Sequence, residues 1–124
     1  MMRSPLMVLI AGPYRSGTGD DPVLMERNLR TLESVALPLY RAGHIPFIGE
    51  WLALPLLREA GSKRPGDAIY DDILYPIANR LLSRCDGVLR LPGASKGADE
   101  DVRLALERGL HVWYNLNEVP GCAA

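Results

Sequence analysis

Residues 88–101, VLRLPGASKGADED, decide the fold of this chain. They begin as a short apolar strand, continue as a loop of small residues and end in a helix that starts with three carboxylates. In an open α/β sheet, ligands bind in the crevice at the carboxyl ends of the strands. A Ser- and Gly-containing loop that leads into a helix there offers backbone N–H groups to an anion or a sugar hydroxyl. The stretch therefore predicts a ligand site.

Length and composition predict one globular domain over residues 1–124. The chain is 48% hydrophobic and 23% charged, which is ordinary for a folded domain. Its formal net charge of −1 provides no global field that would favour a nucleic acid polymer or an anionic membrane. No run approaches the ~20 apolar residues of a membrane helix. We therefore expect neither a nucleic acid polymer nor a membrane as a partner.

Cysteines and histidines show no metal-ligand spacing. Cys85 and Cys122 are the only cysteines, and His44 and His111 each begin an apolar run. A metal site is therefore not expected, and no cofactor is predicted. Two cysteines without a disulfide pattern favour a reducing compartment, so the cytoplasm is the predicted location.

Four apolar runs are predicted to be strands. Residues 6–11 are continuously apolar, which is typical of a central parallel strand covered on both faces. Residues 44–48 contain Pro46, which predicts an edge strand. The other two strands are residues 88–91 and 110–114.

Amphipathic segments between these runs are predicted to be helices. The first helix starts at Pro22 and has a kink or a boundary at Pro38. Residues 50–57 are predicted to form a short helix that is broken near Pro55. A third helix begins near Asp67 and bends at Pro76. The fourth helix ends at Gly109, residues 61–66 form a loop and residues 121–124 form a tail.

Strands alternating with helices predict right-handed crossovers and a parallel sheet between helices. The fold class is therefore α/β, a three-layer Rossmann- or flavodoxin-like fold with four strands in the order 2-1-3-4. The chain leaves strand 1 in opposite directions at this switch point, which brings residues 12–21 beside residues 92–101.

The loop at residues 12–21, GPYRSGTGDD, has the glycine spacing of a phosphate-binding loop. Thr18 stands where that motif has lysine, so phosphoryl transfer from a nucleoside triphosphate is not expected. Gly12 allows a close backbone approach to a ligand. Tyr14 and Arg15 can stack on a base or hold a phosphate. The alternative for Tyr14 is packing on the sheet edge.

Carboxylates are the second group of candidates. A glycosidic bond to ribose breaks through an oxocarbenium-like state, which one carboxylate stabilises or traps while a second acid assists the leaving group. Asp101, Asp71 and Asp72 lie near the starts of helices that flank strand 3. The alternative for all three is helix capping. Glu50 either reaches the same crevice or faces solvent.

These motifs resemble the N-(deoxy)ribosyltransferase-like superfamily, which includes nucleoside 2-deoxyribosyltransferases and nucleoside 5′-monophosphate N-glycosidases. The resemblance covers most of the chain outside residues 56–66 and the tail. It is carried by residues 8–14, by residues 28–39 with Gly43 and Pro46, by residues 85–88 and 91–93, and by residues 95–101 with Ala105 and Gly109. It implies a Rossmann-like fold, a nucleoside or nucleotide ligand, and a homo-oligomer in which a neighbouring subunit often completes the site.

The resemblance also implies catalytic residues. The family nucleophile is a glutamate six residues after the loop serine, and Asp101 holds that position here. The position of the family's assisting aspartate falls on Ala78, so Asp72 is the candidate for that role if its helix is longer than the family's.

Substrate-binding residues follow from the same resemblance. Ser95, Gly97 and Arg15 would hold sugar hydroxyls or a 5′-phosphate, and Tyr14 would lie near the base. The expected function is hydrolysis or transfer at the N-glycosidic bond of a (deoxy)nucleoside or its 5′-monophosphate. One alternative is a non-catalytic sensor of a nucleotide-derived ligand on the same fold. Another is an interaction scaffold with an apolar patch at residues 51–57.

Overall fold

The computed structural model describes residues 4–122, so the last two residues of the predicted tail lie outside it. Strands and helices alternate along the chain, as predicted. The strands are β1 (Met7–Ala11), β2 (Ile45–Ile48), β3 (Gly87–Arg90) and β4 (His111–Trp113). The helices are α1 (Pro22–Glu33), α2 (Ala36–Arg41), α3 (Gly49–Ala60), α4 (Ala68–Leu82) and α5 (Lys96–Glu107), followed by a 3₁₀ turn at Leu116–Glu118.

The four strands form one parallel sheet in the order β2-β1-β3-β4, which confirms the predicted α/β fold and strand order. β2 lies at an edge, where the missing N–H of Pro46 is tolerated. β1 lies inside the sheet, with Leu9 opposite Phe47 on one side and Val88 on the other. Within residues 4–122, each helix is too short or too polar to cross a bilayer.

Apolar cores cover both faces of the sheet. Val8 and Ile10 of β1 pack with Leu29 and Leu32 of α1 on one face. Leu9 and Ala11 of β1 contribute to the core on the other face. Because successive side chains of a strand point to opposite faces, one continuously apolar strand serves both cores.

Prolines shape the helices differently from the prediction at two places. The predicted first helix is divided, since α1 ends at Glu33 and α2 begins at Ala36. The ring of Pro38 clashes with a carbonyl four residues earlier, which places the boundary one turn before the proline. The predicted break near Pro55 is wrong, because α3 continues through it. The carbonyl that loses its partner belongs to Trp51, whose side chain is exposed, and water can satisfy a carbonyl there.

Candidate functional site

The loops after β1 and β3 meet at the carboxyl end of the sheet. Gly93 has a φ of 116°, and a Cβ atom there would lie 2.7 Å from Cγ of Pro13. A Cβ atom at Gly12 would lie 2.8 Å from Cδ2 of Leu32 and 3.3 Å from Cβ of Leu91. Only glycine allows these close approaches. The predicted convergence of the two loops is therefore present.

A cavity of about 750 Å³ opens where the loops meet. This volume lies within the range of small-molecule sites. The end of β1, the two loops and parts of α3, α4 and α5 form its wall. Six predicted site residues line it: Gly12, Tyr14, Arg15, Ser95, Gly97 and Asp101. Asp72 is not part of the wall.

Helix geometry explains why Asp72 lies outside the cavity. Asp67 caps α4, because its Oδ1 accepts a hydrogen bond of 2.8 Å from the N–H of Tyr70. With the helix start fixed, Tyr70 and Leu74 line the cavity. Asp72 lies two residues from each, about 200° around the helix. Its side chain is exposed, so the structure does not bring it to Asp101.

Asp101 is held in the cavity wall by α5. Ser95 caps this helix, since its Oγ accepts a hydrogen bond of 3.1 Å from the N–H of Ala98. Asp101 lies beyond the first turn and does not serve as a cap. It shares one helix face with Gly97 and Leu104, which also line the cavity. A side chain on this face points at the cavity rather than along the helix axis.

The electrostatic environment of Asp101 favours its protonated form. Burial, followed by the charges of Glu50 and Glu100, raises the pKa of the Asp101 carboxyl to about 7. Arg90 acts in the opposite direction, but its guanidinium donates to Asp99 at 2.9 Å. Asp101 therefore changes its charge close to neutral pH.

Glu50 is the second carboxylate of the cavity. It follows Gly49 at the start of α3 and lines the same cavity as Asp101. Burial raises the pKa of the Glu50 carboxyl to about 7, although a hydrogen bond from its own backbone N–H lowers it. The sequence left open whether Glu50 reaches the crevice or faces solvent, and the structure shows that it reaches the crevice.

Tyr14 both packs against the core and lines the cavity. Its ring is partly buried and packs on the α1 face. Asn28 of α1 holds the loop by donating from Nδ2 to the Tyr14 carbonyl at 2.9 Å. Burial raises the pKa of the Tyr14 hydroxyl, and the charges of Glu50 and Glu26 contribute. The charge of Glu50 thus acts on Tyr14 as well as on Asp101.

Tyr70 is a site residue that the sequence analysis missed. It is 3% exposed, and its hydroxyl is buried without a hydrogen-bond partner. Burial raises the pKa of this hydroxyl, followed by the charge of Tyr14. The signal was available, since Tyr70, Leu74 and Ile77 follow helical spacing and all line the cavity.

Arg15 borders the cavity, and its positive charge is already paired with a carboxylate. Its Nε donates to Oδ1 of Asp20 at 2.6 Å, and Nη2 donates to Oδ2 at 3.2 Å. Its Cζ atom lies 5.5 Å from the centre of the Tyr70 ring. A bidentate pair and an aromatic face together hold the guanidinium in place. A phosphate that binds Arg15 would have to compete with Asp20.

Metal ligation finds no support in this site. Within residues 4–122, no three His, Cys, Asp or Glu side chains are arranged to hold a metal ion. Polar side chains of the cavity wall include those of Tyr14, Glu50, Asn79, Ser95 and Asp101.

Comparison with family models, curated proteins and solved structures gives no match to this chain. The likeness to the N-(deoxy)ribosyltransferase-like superfamily therefore stays a prediction from motifs.

Gly97→Ala is expected to separate ligand binding from stability. A Cβ atom at Gly97 would meet no protein atom within 4 Å, and alanine favours a helix over glycine by up to about 1 kcal/mol. The variant should therefore melt at the same temperature as the wild type or a few degrees higher. Gly97 lines the cavity, so the added methyl group takes up space there, and the Kd of a bound nucleoside should rise about tenfold, or about 1.4 kcal/mol. Thermal melting and calorimetry measure the two effects, and unchanged binding would contradict a role of Gly97 in the site.

Proposed function

We propose that the protein hydrolyses or transfers at the N-glycosidic bond of a (deoxy)nucleoside or its 5′-monophosphate. The observation that carries the proposal is the pair of carboxylates, Glu50 and Asp101, in one cavity at the carboxyl end of a parallel sheet. The pKa of each carboxyl is raised to about 7. Paired carboxyls of this kind are the groups that glycoside cleavage requires.

Asp101 acts on the sugar in this proposal. Its ionised carboxylate stabilises the oxocarbenium-like state or attacks C1′ as the bond from C1′ to the base nitrogen breaks. The bonding electrons remain on the base, which takes a proton and leaves. Water then attacks C1′ and loses a proton to the second carboxylate, giving free sugar. Where Asp101 has bonded to C1′, this attack breaks that C1′–O bond, and its electrons return to the Asp101 carboxylate. In a transfer reaction, a second base takes the place of water.

Glu50 is the second acid of the proposal, in the role that the sequence analysis predicted for Asp72. Its carboxyl holds a proton near pH 7, so it can protonate the departing base and then accept a proton from water. Asp72 is exposed outside the cavity. The proposal therefore assigns the acid step to Glu50.

Substrate contacts are proposed for the loops around the carboxylates. Ser95 and the backbone at Gly97 lie beside Asp101 in the wall, where they can hold sugar hydroxyls or a 5′-phosphate. The Tyr14 ring offers a stacking surface for the base.

A cytoplasmic homo-oligomer remains part of the proposal. Exposed apolar side chains of α3, Trp51 and Leu52, offer a surface for a subunit contact.

The test of the proposal is release of free base. The purified protein is incubated with ribonucleosides, deoxynucleosides and their 5′-monophosphates, and base and sugar are quantified by chromatography. We expect at least one substrate to give base and sugar in equal amounts, with a new nucleoside appearing when a second base is added if the protein transfers. Calorimetric binding of an intact nucleotide without base release would instead support the sensor. If the protein neither binds a nucleotide nor releases base, the result would support the interaction scaffold.

A further inference from the structure

We propose that Arg90 is a positioning residue of the candidate site, because its guanidinium fastens the loop after β3 against the loop after β1. This inference rests on the proposed function and adds the residue that keeps the cavity wall in shape. Arg90 is not among the residues that line the cavity, so it acts through the loop and not on a substrate. Three features carry the inference: the burial of the side chain, its hydrogen bonds, and the residues that these bonds fix.

The guanidinium of Arg90 is buried, unlike those of the other paired arginines. Its side chain is 11% exposed, whereas the arginines of the other ion pairs within residues 4–122 are 38% to 74% exposed. A buried guanidinium loses water as a hydrogen-bond partner, so its N–H groups need acceptors in the protein. Arg90 is the last residue of β3 and lies opposite Ala11 of β1. Its side chain therefore starts from a fixed point of the sheet.

Carbonyl groups of the following loop accept hydrogen bonds from this guanidinium. Nη1 of Arg90 donates to the carbonyl of Leu91, and Nη2 donates to the carbonyl of Gly93 at 3.0 Å. Nη2 also donates to Oδ1 of Asp99 at 2.9 Å, which joins the end of β3 to the start of α5. Hydrogen bonds with a charged donor are roughly twice as strong as neutral ones. Arg90 therefore holds the loop between β3 and α5 at both of its ends.

The two carbonyls belong to the residues that contact the neighbouring loop. A Cβ atom at Gly93 would lie 2.7 Å from Cγ of Pro13, and a Cβ atom at Gly12 would lie 3.3 Å from Cβ of Leu91. Contacts as close as these leave little room for movement. Arg90 thus binds the loop after β3 at the points where it meets residues 12–13, and so fixes the spacing of the two loops.

The next residues along the chain form one side of the cavity. Residues 94–98 all line it, and Ser95 among them caps α5. The second turn of α5 presents Asp101 to the same cavity. A loop released from Arg90 would admit water beside the Asp101 carboxyl. The burial that raises the pKa of this carboxyl would decrease, and the pKa would fall toward its ordinary range.

The sign of a change in this pKa separates positioning from a direct effect of the Arg90 charge. The positive charge of Arg90 lowers the pKa of Asp101, so loss of the charge alone would raise it. Loss of the loop geometry would lower it. The other charged or titratable groups around Asp101, all unchanged in the variants at Arg90, are Glu50 of α3, Glu100 of α5 and Cys85 before β3, with Tyr14, Arg15, Asp20, Tyr70, Tyr75 and Lys96 in the cavity wall.

The experiment makes two substitutions at Arg90 in the full chain. Arg90→Lys keeps the charge but places its donors on one atom, which cannot replace the planar fork of the guanidinium. Arg90→Gln loses both the charge and the fork. Amide hydrogen exchange measures the mobility of residues 93–98 relative to β1, and NMR of the carboxyl carbons measures the titration of Asp101, both without substrate. We expect exchange to be at least about tenfold faster at residues 93–98, the effect of losing a charged hydrogen bond.

The titration of Asp101 should shift in the same direction in both variants. We expect a lower pKa of Asp101 in Arg90→Lys and in Arg90→Gln, because the fork is lost in each. The control Arg84→Lys makes the same chemical change at an exposed arginine and should match the wild type in exchange and titration. With a substrate found active on the wild type, both variants at Arg90 should lose about 10²-fold in kcat/KM, the scale of a displacement of about 1 Å.

Asp99→Ala keeps the inference testable if neither variant at Arg90 folds. The Asp99 side chain is 72% exposed, so its truncation should leave the fold intact while removing one acceptor of the guanidinium. We expect faster exchange at residues 93–98 than in the wild type, with a smaller increase than in Arg90→Lys. Exchange at the wild-type rate in Asp99→Ala, with both variants at Arg90 unfolded, would overturn the inference.

Two other results would also overturn it. A lower melting temperature with unchanged exchange and titration would mean that Arg90 only stabilises the fold. A higher pKa of Asp101 in Arg90→Gln, with Arg90→Lys like the wild type, would mean that only its charge acts. Base release by the wild type tests the proposed function separately. If base is released while exchange and titration stay unchanged in the variants, the role of Arg90 fails and the proposed function stands. If exchange and titration change as expected and no substrate gives base, Arg90 holds the cavity wall and the cleavage fails.

Discussion

Asp101→Asn is expected to lower base release by at least about 10³-fold, the scale on which loss of a nucleophile or a charge-stabilising group reduces kcat. Asparagine keeps the shape of the side chain but cannot carry the negative charge that meets the cationic sugar. Because Asp101 does not cap α5 and lines an open cavity, the helix should form as in the wild type. The loss should therefore appear in kcat more than in KM.

Single-turnover base release, with a substrate found active on the wild type, measures this effect. Asp72→Asn is the matched control, since it makes the same chemical change at an exposed position on α4. We expect it to retain the wild-type rate. Glu50→Gln should also release base more slowly than the wild type, because loss of the acid step lowers the rate roughly 10²–10⁴-fold. Wild-type activity in Asp101→Asn would remove Asp101 from the mechanism. Loss of activity in Asp72→Asn would return the acid step to Asp72.

The sheet was accessible from sequence because its signals are local. The apolar run in β1 and Pro46 in β2 fixed an inner and an edge strand, and the right-handed crossover rule then left few strand orders. The convergence of the two loops followed from that order. The break between α1 and α2 was misplaced by a few residues, because proline disrupts the helix at a carbonyl one turn before it.

The carboxylate pair was only half accessible from sequence. Asp101 was found from its spacing to Ser95, which is local to one helix start. Glu50 lines the same cavity as Asp101, and the packing of α3 against α4, one of the most extensive contacts between elements of the fold, holds its helix there. The sequence offers both the crevice and solvent for Glu50, because the packing that decides between them is not local to it. The pattern of apolar residues that marks the buried face of α4 does not include Tyr70, because the tyrosine side chain carries a polar hydroxyl.

The second large effect is expected in the pH dependence of stability. The folded-state pKa values of Glu50 and Asp101 are about 7, above the ordinary values of 4.5 and 3.8 for these groups. Between about pH 4 and pH 7 the folded protein therefore binds more protons than the unfolded chain, and the free energy of unfolding falls as the pH rises. Shifts of this size correspond to a few kcal/mol for the pair, so the melting temperature should be on the order of 10 °C higher at pH 5.5 than at pH 8.

Asp67 contributes to the dependence of stability on pH in the acid range. Hydrogen bonds from backbone N–H groups, first that of Tyr70 and then that of Lys63, lower the pKa of the Asp67 carboxyl to about 2. Its contribution to stability is present above about pH 4 and is lost as the pH falls toward 2, which is outside the window of the cavity pair. The two effects together predict maximal stability near pH 4–6, on the acid side of neutrality.

Thermal melting from pH 4.5 to pH 8.5 tests whether the cavity pair causes the slope. The double variant Glu50→Gln/Asp101→Asn cannot ionise at either position, so it should melt higher than the wild type at pH 8 and show a flatter profile. The matched double variant Glu59→Gln/Asp72→Asn, with both changes at exposed sites, should keep the wild-type slope. All other titrating groups are common to these proteins, and the difference between the profiles therefore isolates the pair. An equal slope in both double variants would mean that the two carboxylates are solvated and ionised throughout, and a carboxyl group in that state could not hold a proton for a leaving base.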